Sequence, residues 1–167
     1  SGLDTGNIIL QKSCLIKEDE TAETLTHKLA ELGGSLLLET LPDWLAGKII
    51  PQKQDDARAT AAPLFTKNDG LVLEGHDAYQ VERMVRALAP WPGTYLALKN
   101  GKKLAIKKVQ LTPCAHEGRP VLTMSLEHGK QLTLHTARGC LILEEVQPEG
   151  KKPMSGYDFY LGNKNSL

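Results

Sequence analysis

One carboxylate and two groups of lysines are the side chains here whose setting suggests chemistry. Asp4 lies in Gly2-Leu3-Asp4-Thr5-Gly6 and is followed at once by the apolar run Ile8-Ile9-Leu10. A carboxylate in a glycine-bracketed loop before an apolar run reads as an acid at the mouth of a strand, where the side chains of a reaction centre are often mounted. The same residue also reads as a loop acid capping a turn. The second feature is basic. Lys99, Lys102, Lys103, Lys107 and Lys108 fall within ten positions that hold no acid, and Lys151-Lys152 and Lys67 stand apart from them. Lysines gathered on one side of a sheet neutralise phosphates whatever the base sequence, while lysines on an edge strand also discourage pairing with other sheets.

The 167 residues balance twenty Lys and Arg against twenty Asp and Glu, so a nucleic-acid surface has to come from asymmetry along the chain. Two Phe, two Trp and four Tyr leave few rings for stacking on splayed bases, which favours recognition of backbone or shape. Cys14, Cys114 and Cys140 are widely spaced and form no paired motif, so reduced thiols are the expectation. No apolar run approaches the roughly 20 residues needed to span a bilayer. His27, His76, His116, His128 and His135 show neither metal-ligand spacing nor a partnered nucleophile, so no metal site is expected.

The elements that must position these groups change character along the chain. Asn7 to Lys12 reads as a short strand, buried on both faces as in a parallel sheet. Glu18-Asp19-Glu20-Thr21 supplies a cap, and Leu25, Leu29, Leu32 and Leu36 form a helical stripe that Leu37, Leu41 and Leu45 widen, a stripe read as core. Tight packing is expected at Gly33-Gly34, a kink or restart near Pro42, and a stop at Gly47. Residues 48–70 lack either period and read as a connector that wraps. A brief strand at Leu71 to Leu73 precedes a helix opened by the Asp77–Gln80 capping box and closed by Pro90-Trp91-Pro92-Gly93. Trp91 is expected to wedge between that helix and the strands after it.

From Thr94 the period becomes two. Strands are expected at Thr94 to Lys99, Lys102 to Thr112, Val121 to Glu127, Lys130 to Thr136 and Cys140 to Val146. Asn100-Gly101 and His128-Gly129 signal hairpins. The parity of Leu104 and Ile106 against Val109 and Leu111 calls for a bulge near Lys107. Five antiparallel strands of this spacing fit a small closed barrel of the oligonucleotide- and oligosaccharide-binding (OB) kind. Met154 and Phe159 are expected to fasten the tail to it.

Four blocks carry a resemblance over nearly the whole chain. They are Gly2-Leu3-Asp4-Thr5-Gly6; Thr24-Leu25 through Lys28-Leu29-Ala30-Glu31-Leu32-Gly33; Arg86-Ala87-Leu88-Ala89-Pro90-Trp91-Pro92-Gly93; and Gly150-Lys151-Lys152-Pro153-Met154-Ser155 with Asp158-Phe159. In this order they resemble the carboxyl-terminal half of the bacterial methionyl-tRNA formyltransferase family. The first block alone is shared with formyltransferases that act on other acceptors. The resemblance implies an α+β chain: a remnant strand and long helical region of a Rossmann-like formyltransferase domain (1–47), a connector (48–70), then a short helix and a five-stranded antiparallel OB-like barrel (71–167).

It further implies a cytoplasmic enzyme that transfers a formyl group from 10-formyltetrahydrofolate to the amino group of initiator methionyl-tRNA, with no DNA or membrane partner. Asp4 is then the one catalytic acid present. Lys67, Lys99, Lys102, Lys103, Lys107, Lys108, Lys151 and Lys152 become candidates for tRNA. The family's upstream Asn and His are not in this sequence, so the chain is expected to depend on a missing amino-terminal half, to hold the folate weakly and to be inactive alone. Around Ala62-Pro63-Leu64-Phe65-Thr66-Lys67 only Lys67 stands where the family commonly has an extra lysine. Two other readings remain open: the matching part of another folate-dependent formyltransferase or hydrolase, and a stand-alone barrel module without chemistry.

Overall fold

The computed structural model describes residues 2–113, 120–127 and 129–163. It divides into two units, Ser1–Leu64 and Phe65–Leu167.

The first unit is built on α1, Ala22–Leu45. Thr21 caps it, accepting from the Thr24 backbone N–H while the Thr24 hydroxyl accepts from the Thr21 N–H. Ahead of the cap, the Lys28 ammonium meets the Glu20 carboxylate at 2.8 Å and the Leu15 carbonyl. Strong helix formers carry α1 through Pro42 without a restart, and the Ala46 N–H still reaches the Pro42 carbonyl at 3.0 Å. Gly47, at φ +68°, ends it as expected.

Three expectations fail in this unit. The strand at residues 7–12 is reduced to one antiparallel bridge between Ile8 and Gln52, with N–H···O distances of 2.8 Å in both directions. A run meant for burial on both faces needs a neighbour on each side, and the described residues offer one. A Cβ added at Gly33 or Gly34 would meet open space, so these glycines mark no close packing. The leucine stripe is also no core. Leu25, Leu32 and Leu36 are half-buried, Leu37, Leu38 and Leu45 stand 61–76% exposed, and no described residue up to 64 is fully buried.

The second unit has its own core. Its helix α2, Ala78–Ala87, opens on the expected capping box, with Asp77 accepting from the Gln80 N–H at 2.8 Å. The strands are β1 Thr94–Ala97, β2 Lys103–Thr112, β3 Thr123–Glu127, β4 Gln131–His135, β5 Cys140–Pro148 and a short β6 Met154–Ser155, followed by α3 Gly156–Asn163. The hydrogen-bonded order is β1-β2-β5-β4-β3, antiparallel throughout, with β6 on β5. Five strands fall where the period of two puts them, whereas β6 and α3 are additions. The sheet is not closed: β1 and β3 end the path, in place of the closed five-stranded barrel expected. Strand count alone does not set the stagger that closure requires.

The register of β2 on β5 slips between Ile106 and Val109, which is the bulge that parity demands at Lys107. At the β1–β2 turn the Gly101 N–H bonds the Leu98 carbonyl at 2.9 Å and Gly101 sits at φ +77°, giving a three-residue loop rather than a two-residue one. Leu71 adds an isolated parallel bridge to Tyr95 in place of a strand. There Gly70 lies so close to Gly93 that a Cβ would come within 1.9 Å of its carbonyl oxygen. The core joins Val81 and Val85 of α2 to Leu104, Ile106, Leu134, Leu141, Leu143 and Val146, and Phe159 of α3 is fully buried among them. Phe159 thus fastens the tail, with Met154 packed beside it. Trp91 is 57% exposed and wedges nothing in this unit. Cys14 is a free thiol, but Cys140 is disulfide-bonded, against the expectation of reduced thiols throughout. Cys114, His116 and His128, with the His128-Gly129 hairpin signal, lie outside the described residues.

The Asp77 carboxyl is held below its usual range, first by the Gln80 N–H and then by Arg138. A depressed folded-state pKa stabilises fully above the unfolded value of about 3.9, and the gain is lost as pH falls through the folded value. Asp77→Ala is therefore expected to cost about 1 kcal/mol at neutral pH. In urea unfolding of the chain, the gap between variant and parent should close below pH about 4. A gap that stays constant into acid would contradict this account of the cap.

Candidate functional site

The Asp4 loop is shaped by its own short side chains and by the connector. Asp4 adopts φ +55°, a left-handed conformation that Asp tolerates better than most residues. The Thr5 hydroxyl donates to the Gly2 carbonyl at 3.1 Å and accepts from the Gly2 N–H at 3.2 Å, tying off the turn. From far along the chain, Gln54 Nε2 donates to the Asp4 carbonyl at 2.8 Å and to the Gly6 carbonyl at 2.6 Å. With the Ile8–Gln52 bridge, alternate connector residues hold the loop from one side.

The loop and connector line a polar cavity of about 720 Å³, with Asp4, Thr5, Gln52, Gln54, Asp55 and Arg58 among its walls. Asp4 is exposed there. Asp55 is engaged elsewhere, capping the short turn Asp56–Arg58 through the Ala57 N–H at 3.0 Å. A second space in the same unit is apolar, a groove of about 240 Å³ lined by Ile9, Leu10, Leu36, Leu37, Leu41 and Trp44. The connector is therefore more than featureless wrapping, and its glutamines are functional candidates that sequence reasoning misses. A Gln two residues from a bridge gives no periodic signal, and its partners lie some 50 positions away.

In the second unit the sheet register sorts the lysines. Lys99 and Lys102 flank the β1–β2 turn and Lys103 opens β2. Because Leu104 pairs with Pro148, the turn after β5 that carries Lys151 and Lys152 lies at this same end. The Glu149 N–H bonds the Lys103 carbonyl at 3.0 Å, and the Lys151 N–H bonds the Pro148 carbonyl at 3.0 Å. Five lysines distant in sequence thus share one end of the sheet, all exposed.

Lys107 and Lys108 stand at the bulge, about 13 Å further along β2 at roughly 3.3 Å per residue. Lys67, in the short turn Lys67–Gly70, precedes the Leu71–Tyr95 bridge and so lies toward the Gly93 end of β1, away from the hairpin. The cluster is not uniformly free. Lys108 Nζ is 2.9 Å from Glu144 Oε2, which raises its pKa, and Lys103 Nζ sits 4.5 Å from the centroid of the Tyr95 ring. Glu144 is 36 positions from Lys108, so no local pattern signals that pairing.

Beneath the sheet, fully buried His135 meets Ser125 Oγ at 2.9 Å through Nε2 and Cys140 Sγ at 3.2 Å through Nδ1, with Glu127 3.6 Å away. This network satisfies a buried ring between strands. Among the described residues no group of three or more His, Cys, Asp or Glu is placed to hold a metal ion. None of the described helices is long and apolar enough to cross a membrane.

A glycine-bracketed acid stands on a connector-braced loop in the first unit, lysines rim an antiparallel sheet in the second, and comparison with known proteins shows the family that carries both. The chain belongs to the formyl transferase family: residues 65–164 match the model described as formyl transferase, C-terminal domain, and residues 1–41 match that described as formyl transferase. It is 40% identical over 98% of its length to methionyl-tRNA formyltransferase of Desulfotalea psychrophila, covering 50% of that protein. It is 39% identical over 98% of its length to that of Geotalea daltonii, covering 51%. The chain therefore spans about half the length of these relatives. Among solved structures it resembles HypX from Aquifex aeolicus, with TM-score 0.67 and 17% identity over 94% of this chain and 28% of that one. A structure of HypX in complex with tetrahydrofolic acid matches at TM-score 0.52 and 18% identity, over 74% of this chain and 22% of that one. At such identities the likeness is one of fold.

The Lys108–Glu144 ion pair gives a direct check. Glu144→Gln should return the Lys108 ammonium toward the ordinary lysine value, read by carbon-13 NMR titration of the lysine side chains. An unmoved Lys108 would show that the pair does not form in solution.

Proposed function

We propose that this chain is the carboxyl-terminal half of a methionyl-tRNA formyltransferase, a cytoplasmic enzyme of translation initiation. The observation that carries the reading is the order of the two family matches, residues 1–41 and 65–164, on one chain whose relatives at about 40% identity bear that name. Residues 1–47 would then be the end of the catalytic domain, 48–70 the connector and 71–167 the RNA-binding unit. The bulged, antiparallel sheet of that unit is read as the partly open form of an OB-like barrel.

In the reaction, the amino group of initiator methionyl-tRNA attacks the formyl carbon of 10-formyltetrahydrofolate. The new C–N bond forms as the bond to the folate nitrogen breaks, and one proton passes from the amine to that nitrogen. Asp4 is the group assigned to carry it, since of the acids lining the polar cavity, Asp4, Asp55 and Asp56, it alone lies within the residues that match the formyl transferase model. Polarising the formyl carbonyl and completing proton transfer fall to the Asn and His that the family carries upstream of the Asp, so this chain is inactive by itself. The apolar groove between the Ile9-Leu10 segment and α1 is the surface on which the rest of the catalytic domain packs.

Affinity for tRNA comes from Lys99, Lys102, Lys103, Lys151 and Lys152 acting together, because the sheet register supports their convergence at one end. Lys107, Lys108 and Lys67 are secondary partners by virtue of their position, and Lys108 has the competing partner Glu144. Phosphate binding of this kind is sensitive to salt and tolerant of base sequence. Neutralising Lys102 and Lys151 together should weaken initiator tRNA binding at low salt. The slope of log affinity against log salt should fall by roughly one for each phosphate interaction removed. Unchanged affinity and slope would overturn the assignment of this surface.

A further inference from the structure

We infer that Gln54 is a positioning residue for formyl transfer, the brace that fixes where the Asp4 carboxylate points. This rests on the reading of Asp4 as the proton carrier. Gln54 stands 50 residues from Asp4, yet its amide reaches the carbonyls on both sides of Thr5, at 2.8 Å to Asp4 and 2.6 Å to Gly6. Both partners are acceptors, so the nitrogen of the amide has to face them, and its two hydrogens serve one carbonyl each. Few side chains other than an amide can bridge two carbonyls this way while remaining neutral.

The loop needs such a brace. It has no buried side chain to anchor it, and its residue 4 sits at φ +55°, where a non-glycine residue is held only by its surroundings. The Thr5–Gly2 bonds close the turn but are local, and turn with it as one body. The Ile8–Gln52 bridge anchors the chain just beyond the loop, and Gln54, on the same stretch of connector, fixes the loop relative to that anchor. Two points of attachment set a position and a direction. One would leave a hinge. Proton transfer falls steeply with misplacement of the acid, so a change here is felt in turnover before it is felt in binding.

The test uses the full-length enzyme carrying this chain. Gln54→Ala removes both bonds, and Gln54→Glu keeps shape and size while setting a carboxylate against two carbonyl oxygens. With both substrates saturating, kcat should fall about tenfold for Gln54→Ala and further for Gln54→Glu, with KM for folate and tRNA within about twofold.

The deciding comparison is a double-mutant cycle with Asp4→Asn, or with Asp4→Glu if the Asn variant leaves nothing to measure. If Gln54 acts through Asp4, its replacement costs little more once the carboxylate is gone, or already displaced by the longer Glu side chain. A general loss of structure would instead lower the residual rate by the same factor in both backgrounds, and direct engagement of substrate would raise KM. Either result overturns the inference, as does an unchanged kcat when Asp4→Asn is inactive. Should Asp4→Asn itself leave turnover intact, the reading of Asp4 fails and this inference falls with it.

Discussion

Apolar side chains on α1 are at best half-buried among the described residues up to 64, and that shortfall governs how the chain has to be understood. Burial of a leucine is worth about 1.5–3 kcal/mol, and a helix of 24 residues gains most of its stability from such burial rather than from propensity. Here Leu37, Leu38 and Leu45 face solvent, and order in the first unit comes from a capping box, an ion pair, one bridge and the amide of Gln54. These are local or polar ties. They shape a loop around Asp4, but they do not make a core.

The second unit shows the opposite condition. Strand β4 buries four of its five residues and β5 five of its nine, α2 covers one part of the core, and Phe159 of α3 closes another. With its core secured internally, this unit can leave its lysines at the sheet's end in water, where they cost no desolvation. The antiparallel register of β2 on β5 then does the electrostatic work, bringing the turn at Lys99–Lys102 beside the turn at Lys151–Lys152. Charge that sums to zero over the chain is thereby concentrated at one edge.

Much of this is legible in the sequence because it is local. The Asp77–Gln80 box, the bulge demanded by the parity of Leu104 and Val109, the stop at Gly47 and the five main strands each follow from spacing or backbone chemistry over a few residues. The features that escape sequence reasoning depend on distant partners: the reach of Gln54 to the Asp4 loop, the Glu144 partner of Lys108, and the absence of anything packed on Gly33 and Gly34. The strand at Asn7 to Lys12 shows the principle most clearly. Its composition suits a buried strand, but a strand exists only through its neighbours, and among the described residues one bridge to Gln52 is all that forms. Closure of the sheet is illegible for a related reason, since strand count carries no information about stagger.

The chain joins a unit without a buried core to one that has its own, and amide hydrogen exchange measures that difference directly. In the chain alone, amides along α1 from Leu25 to Leu41 should exchange at least about a hundredfold faster than those of Leu134, Leu141 and Leu143, because local opening replaces global unfolding where no core resists it. Protection of α1 equal to that of the β4–β5 core would contradict the account and show the first unit to be a self-sufficient fold.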